Sequence, residues 1–136
     1  MKLAEFFSVL WDGHEGYAEI RAISREGGAK TAYFEWPRQS KELSAHITDM
    51  MPGHHMYFGV GLRARAGGTA ADVKLIACYW ADVDFKTTPE SDARKALESF
   101  PLKPSITLMT GGGMHLYWLL REPVADLAGV RGMNRR

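Results

Sequence analysis

Two carboxylates one residue apart, Asp82 and Asp84, close an apolar, β-branched and aromatic run that begins at Val73. On an extended chain, side chains two apart point the same way, so these acids share a face roughly 6–7 Å apart along the strand. Such a pair can converge on one divalent cation or on two. Without a cation the two repel, and burial would raise their pKa values. A second pattern follows at Thr110-Gly111-Gly112-Gly113, between the apolar runs Ser105 to Met109 and Met114 to Leu120. It reads as a hairpin in which glycine supplies positive φ and lets another group approach the backbone. His115 stands just past that turn, so Thr110, His115 and the carboxylates can meet at one end of a sheet.

Other side chains invite chemistry less strongly. Arg63 and Arg65 face one way at the end of a strand, either as an exposed edge that discourages aggregation or as a fork that grips phosphate bidentately. The adjacent His54 and His55 suggest a metal, but neighbours on an extended chain point to opposite sides, and a surface turn is expected. On the strand Tyr17 to Ser24, Glu19 and Arg21 form a solvated face, unless Arg21 reaches into the site. Cys78 is the single cysteine, in the middle of the Val73 to Asp84 run, and is expected as a small buried apolar residue. It permits no intrachain disulfide and suits a reducing cytoplasm.

The elements that must position these residues follow from periodicity. Leu3, Phe6, Phe7 and Leu10 predict a short amphipathic helix over 2–11 with its aromatic face in the core. Tyr17 to Ser24 and Lys30 to Trp36 read as a hairpin around Gly27 and Gly28. Gln39 to Met51 reads as a helix capped at Ser40, and Met56 to Leu62 as a half-buried strand. Ala66 to Ala70 is a small-residue loop with no fixed structure of its own. After Asp84 a helix starts with Thr88 as cap and Pro89 in its first turn, burying Ala93, Ala96, Leu97 and Phe100. A strand, helix, strand order then puts Ser105 to Met109 in the sheet of the acidic strand, with Met114 to Leu120 added by the glycine hairpin. Asp126 to Arg136 reads as an unfinished helix or a tail.

Bulk properties exclude more than they assign. With 136 residues the chain fits one domain, 1–136. Seventeen basic against sixteen acidic residues leave a net charge of +1, so any nucleic-acid contact must come from a local patch. A hydrophobic fraction of 46% and a charged fraction of 24% are those of an ordinary soluble domain. The amino terminus begins like a signal peptide, but Glu5 interrupts the apolar run and Asp12-Gly13-His14-Glu15 follows it. No run has the length of a membrane-spanning helix.

In order along the chain, Tyr17-Ala18-Glu19-Ile20-Arg21-Ala22, Met56-Tyr57-Phe58-Gly59-Val60-Gly61-Leu62-Arg63, Ala81-Asp82-Val83-Asp84-Phe85-Lys86 and Gly112-Gly113-Met114-His115-Leu116-Tyr117-Trp118 resemble the archaeo-eukaryotic primase superfamily. Within it, the likeness is to the primase-polymerase domains of plasmid and phage replication proteins. The resemblance implies an α+β fold: a mostly antiparallel sheet with flanking helices, in an RRM-like catalytic core. It implies template-directed nucleotidyl transfer, with Mg2+ or Mn2+ held by Asp82 and Asp84 and His115 on the phosphates of the incoming nucleotide. Arg63, Arg65, Lys86, Thr110, Gly112 and Gly113 would complete the nucleotide site. The implied partners are nucleoside triphosphates, a single-stranded DNA template, and a fused or associated helicase or other replication domain, with no membrane and a cytoplasmic location. Phosphoryl transfer needs such a set, because the catalyst mainly positions groups and neutralises developing charge.

One departure stands beside the matches. The family uses a third acidic residue on a later strand, whereas here Asp126 is the sole carboxylate after Glu122 and falls in a loop-like stretch. The chain is therefore expected to be the amino-terminal portion of such a core, incomplete at its C-terminus. A non-catalytic primase-like module that binds nucleotide or nucleic acid is the alternative. Sugar-nucleotide glycosyltransferases also place an acidic pair after an apolar strand, but their opening nucleotide-binding unit is not evident here. Rolling-circle initiators need two histidines around one apolar residue, and Met114-His115-Leu116-Tyr117 supplies one; Tyr117 or Tyr79 would be the nucleophile.

Overall fold

The computed structural model describes residues 2–124; Asp126 and the segment after it lie outside the described residues. The fold is α+β, with a mostly antiparallel sheet of seven strands and three α-helices among the described residues. The chain divides into two compact units, with the boundary between Ala77 and Cys78. Among the described residues no helix is long and apolar enough to cross a membrane.

The first unit opens with α1 (Leu3–Leu10), whose Phe6, Phe7 and Leu10 are buried at the predicted spacing. The hairpin β1 (Gly16–Ser24) and β2 (Ala29–Trp36) follows in antiparallel register, Glu19 opposite Tyr33. Alternation along β1 divides its two faces. Ala18, Ile20 and Ala22 are fully buried, while Tyr17, Glu19, Arg21 and Ile23 point the other way. The core is aromatic: Phe7 stacks on Trp11 with centroids 5.0 Å apart, and Phe58 meets Phe6 and Phe7 edge-on. Leu43 and Ile47 of α2 (Ser40–Met50) are buried as well. The cap of α2 is Gln39 and not Ser40, and it makes no side-chain cap bond. Its amide is otherwise engaged, accepting the Glu35 backbone N–H at 2.8 Å.

The expected strand Met56 to Leu62 is two strands, β3 (His54–Phe58) and the short β4 (Leu62–Arg63). The interruption has a cause outside the segment: the Trp11 indole N–H donates to the Val60 carbonyl at 3.0 Å. β3 pairs with β1, and β4 bridges β1 to β5 (Val73–Asp84). Strand order in the first unit is therefore β2-β1-β4-β5, with β3 also on β1. His54 and His55 belong to β3 rather than to a turn; His54 Nδ1 lies 3.1 Å from the Pro52 carbonyl and His55 is exposed.

The second unit begins within β5 and continues through α3 (Glu90–Ser99), β6 (Ile106–Met109) and β7 (Gly113–Val124). β7 is the neighbour of both β5 and β6. It runs antiparallel to the end of β5, because Phe85 N–H donates to the Gly112 carbonyl while His115 reaches back to Asp82. The core is one-sided. Ala93, Met114 and Leu116 are buried, with Ala81, Val83, Phe85, Leu97 and Trp118 packed on them. The helix buries less than its pattern predicts, since Ala96 and Phe100 stay exposed. They line an open apolar groove of about 210 Å³.

Candidate functional site

Strand parity builds the site in the second unit. Ala81, Val83 and Phe85 face the core, so Asp82 and Asp84 must emerge on the opposite side, and both are exposed. On β7 the buried Met114 and Leu116 face α3, which turns His115 to the carboxylate side. The imidazole Nε2 lies 3.4 Å from Asp82 Oδ1, with the side chains 42% and 74% exposed. Among the described residues Asp82 thus stays open to solvent on the side away from the imidazole.

Asp84 is oriented from behind. Its Oδ1 accepts the Lys86 backbone N–H at 2.9 Å, an Asx turn, and the side chain is exposed. Its backbone carbonyl accepts from Thr87 and Thr88, at 3.1 and 2.9 Å, which reverses the chain immediately after the acid. Lys86 is exposed beside it.

The glycine turn contributes by fit. Gly111 has φ of +85°, a conformation that a side chain would strain. At Gly113 a Cβ would stand 2.0 Å from the Val83 carbonyl oxygen, so only glycine lets β7 close on the end of β5. Gly113 thus sets the distance between His115 and Asp82. Gly112 and Thr110 are exposed at the tip, where a Cβ on Gly112 would meet nothing within 4 Å and Thr110 N–H donates to the Gly113 carbonyl at 3.0 Å.

Tyr117 lies one alternation beyond His115 on the same side and is 4% exposed. Burial pushes its phenol up to about 12, with the charges of Cys78 and Asp82 adding to the rise. A phenol 4% exposed is poorly placed to attack a DNA end, which weighs against Tyr117 as a nucleophile. Cys78 is fully buried, and burial pushes its thiol up to about 12 as well.

Arg63 and Arg65 belong to the first unit, and both have partners there. Arg63 is buried; its Nη1 donates to the Gly67 and Thr69 carbonyls at 2.7 and 2.9 Å, and its Nη2 lies 3.5 Å from Glu19. Arg65 pairs with Asp72, which also accepts from the Thr69 backbone N–H and hydroxyl at 3.1 and 2.8 Å. The loop expected to lack fixed structure is thereby tied at both ends, and a 3-10 turn, Ala70–Asp72, follows it. The Thr69 hydroxyl, the Arg65 guanidinium and the Thr69 amide hold the Asp72 carboxyl below the ordinary carboxylate value. Sequence reasoning passed over Asp72, although Thr69-x-x-Asp72 is a legible capping box. Glu19 is also no solvated acid: besides Arg63 it takes the Tyr33 hydroxyl at 3.2 Å. Arg21, by contrast, is exposed.

The donors at Asp82 and Asp84 suit a hard divalent cation, which takes carboxylate oxygens and retains sites for water and phosphate. Among the described residues no group of three or more His, Cys, Asp or Glu side chains converges as a metal cage. Comparison with family models, curated proteins and solved structures finds no match for this chain.

Proposed function

We propose that this chain is part of a metal-dependent DNA primase-polymerase of a plasmid or phage replication protein, a nucleotidyltransferase with an RRM-like core acting in the cytoplasm. The supporting observation is the exposed face on which His115 Nε2 lies 3.4 Å from Asp82 Oδ1, with Asp84 one alternation further along β5. When bound, Mg2+ or Mn2+ would draw charge from a triphosphate and its attacking oxygen. Asp82 and Asp84 would hold it. His115 would donate a hydrogen bond to a phosphate oxygen, and its position beside Asp82 keeps the ring turned toward that face. Lys86 and the exposed backbone at Gly112 would add positive charge and N–H donors around the same triphosphate. A template strand and further replication domains would be the partners.

A second reading, a primase-like module that binds nucleotide without turnover, is favoured by one feature: among the described residues two carboxylates, Asp82 and Asp84, and no third are identified on this face. Titration with a nucleoside triphosphate in the presence and absence of Mn2+ tests the site, and primer extension on a template separates the two readings. Metal-dependent binding that is lost in Asp82→Asn is expected. Binding indifferent to both the metal and the substitution would sink the proposal.

A further inference from the structure

The other side of β1 carries a surface that the proposed chemistry leaves unused. Arg21 stands directly opposite Tyr57, and Ile23 opposite His55, in the β1–β3 register, so their side chains share one face within contact distance. No helix of the first unit covers it; the buried residues of β1 all lie on the other side. Tyr57 is 55% exposed, the one aromatic side chain so displayed on a strand among the described residues. It borders an open depression of about 310 Å³ floored by Glu19, Arg21, Ile23 and Gly59.

Charge decides what such a face suits. The acids on it are already answered: Glu19 by Arg63 and the Tyr33 hydroxyl, Glu35 by Arg38 and the Tyr17 hydroxyl. Arg21 has no ion pair among the described residues. The surplus is one cation beside one exposed ring, with His55 adjacent. The large apolar side chain exposed there is Tyr57, with Ile23 half-buried beside it, too little for a protein-docking patch. An aromatic face for a base and a guanidinium for the neighbouring phosphate are what an unpaired nucleotide requires.

We infer that Tyr57 and Arg21 form a stacking platform for a single-stranded nucleic acid, Tyr57 beneath a base and Arg21 on the adjoining phosphate. The inference rests on the proposed function in making that strand a template, and it can fail or stand separately from it. Fluorescence anisotropy with a labelled oligodeoxythymidine of about a dozen nucleotides is the test. Tyr57→Ala should weaken binding roughly ten-fold, the loss expected for one base–aromatic stack, while Tyr57→Phe retains it. Arg21→Ala should weaken binding and reduce the slope of log affinity against log salt by about 0.7, as for one phosphate contact on a single strand. An abasic chain of equal length should bind the natural protein as weakly as the oligonucleotide binds Tyr57→Ala. The same variants should bind nucleoside triphosphate and Mn2+ as the natural protein does. Unchanged oligonucleotide binding in Tyr57→Ala, no binding by the natural protein, or equal competition by duplex DNA overturns the platform, whatever the triphosphate does. Platform binding without metal-dependent triphosphate binding would instead overturn the nucleotidyltransferase reading alone.

Discussion

The Arg63–Asp72 loop of the first unit and the Asp82–His115 face of the second are made from the same kinds of side chain, turned to opposite uses. Around the loop nearly every polar group is answered from within: the guanidinium of Arg63 by two carbonyls and Glu19, the carboxylate of Asp72 by Thr69 and Arg65. On the face, Asp82 lies 3.4 Å from His115 and Asp84 accepts a turn hydrogen bond, and both stay exposed. Buried charges without partners are costly, so the loop's network is required by folding. Exposed acids carry no such requirement. Their crowding on one strand is tolerable in water and becomes useful once a cation arrives. The difference separates structural charge from available charge without reference to any relative.

Substitution should expose that difference most sharply at Arg63. Arg63→Ala leaves Glu19 and two loop carbonyls without their donor inside the first unit, a loss of about 3 kcal/mol or more. Thermal unfolding should then fall by roughly 10 °C for a chain of this size. If Arg63→Ala unfolds with the natural protein, the loop is not held as described. Asp82→Asn is the mirror case. Stability should change by no more than about 0.5 kcal/mol, as for an exposed site, while Mn2+-dependent triphosphate binding drops at least about ten-fold. His115→Ala should weaken triphosphate binding more than monophosphate binding; equal loss for both would make the imidazole a structural group.

The acidic strand was legible to its last residue, Val73–Asp84, because its run is apolar, β-branched or aromatic up to the two acids that close it. So was the sharing of one face by its two acids, which strand parity requires; that Met114 and Leu116 mark the opposite, core face came from the structure. What escaped the sequence depended on partners distant in the chain. The break between β3 and β4 depends on an indole 49 residues away. Arg63 reads as an exposed edge or a phosphate fork, and its burial against Glu19 and two loop carbonyls was not legible. The shallow burial of α3 was not readable either: Ala96 and Phe100 keep the right spacing, but only Ala93 is buried, Leu97 is half-buried, and Phe100 meets the Trp118 ring at 5.7 Å while staying exposed.

Acid should separate the two regions again. The folded pKa of Asp72 lies below its unfolded value, so folding favours the ionised form. The resulting stability is fully present above the unfolded pKa of about 3.9 and is lost as pH falls through the folded value. Urea midpoints of the natural protein should therefore fall more steeply below about pH 4 than those of Asp72→Asn, whose curve lacks this component. Parallel curves would mean that the Asp72 network contributes nothing to acid sensitivity.

The smallest effect expected is a silence, at Cys78. The thiol is fully buried and pushed up to about 12, and the attacking species in alkylation is the thiolate. At pH 8 the folded chain should therefore react with iodoacetamide only as fast as it opens, and labelling should accelerate in urea along the unfolding curve. Tyr117, on the neighbouring strand and equally hard to ionise, predicts the same for iodination of its ring. Rapid labelling of Cys78 in the native protein would show that the second unit opens at β5, and an acidic face built on a strand that opens so readily could not hold two carboxylates in fixed register for a metal.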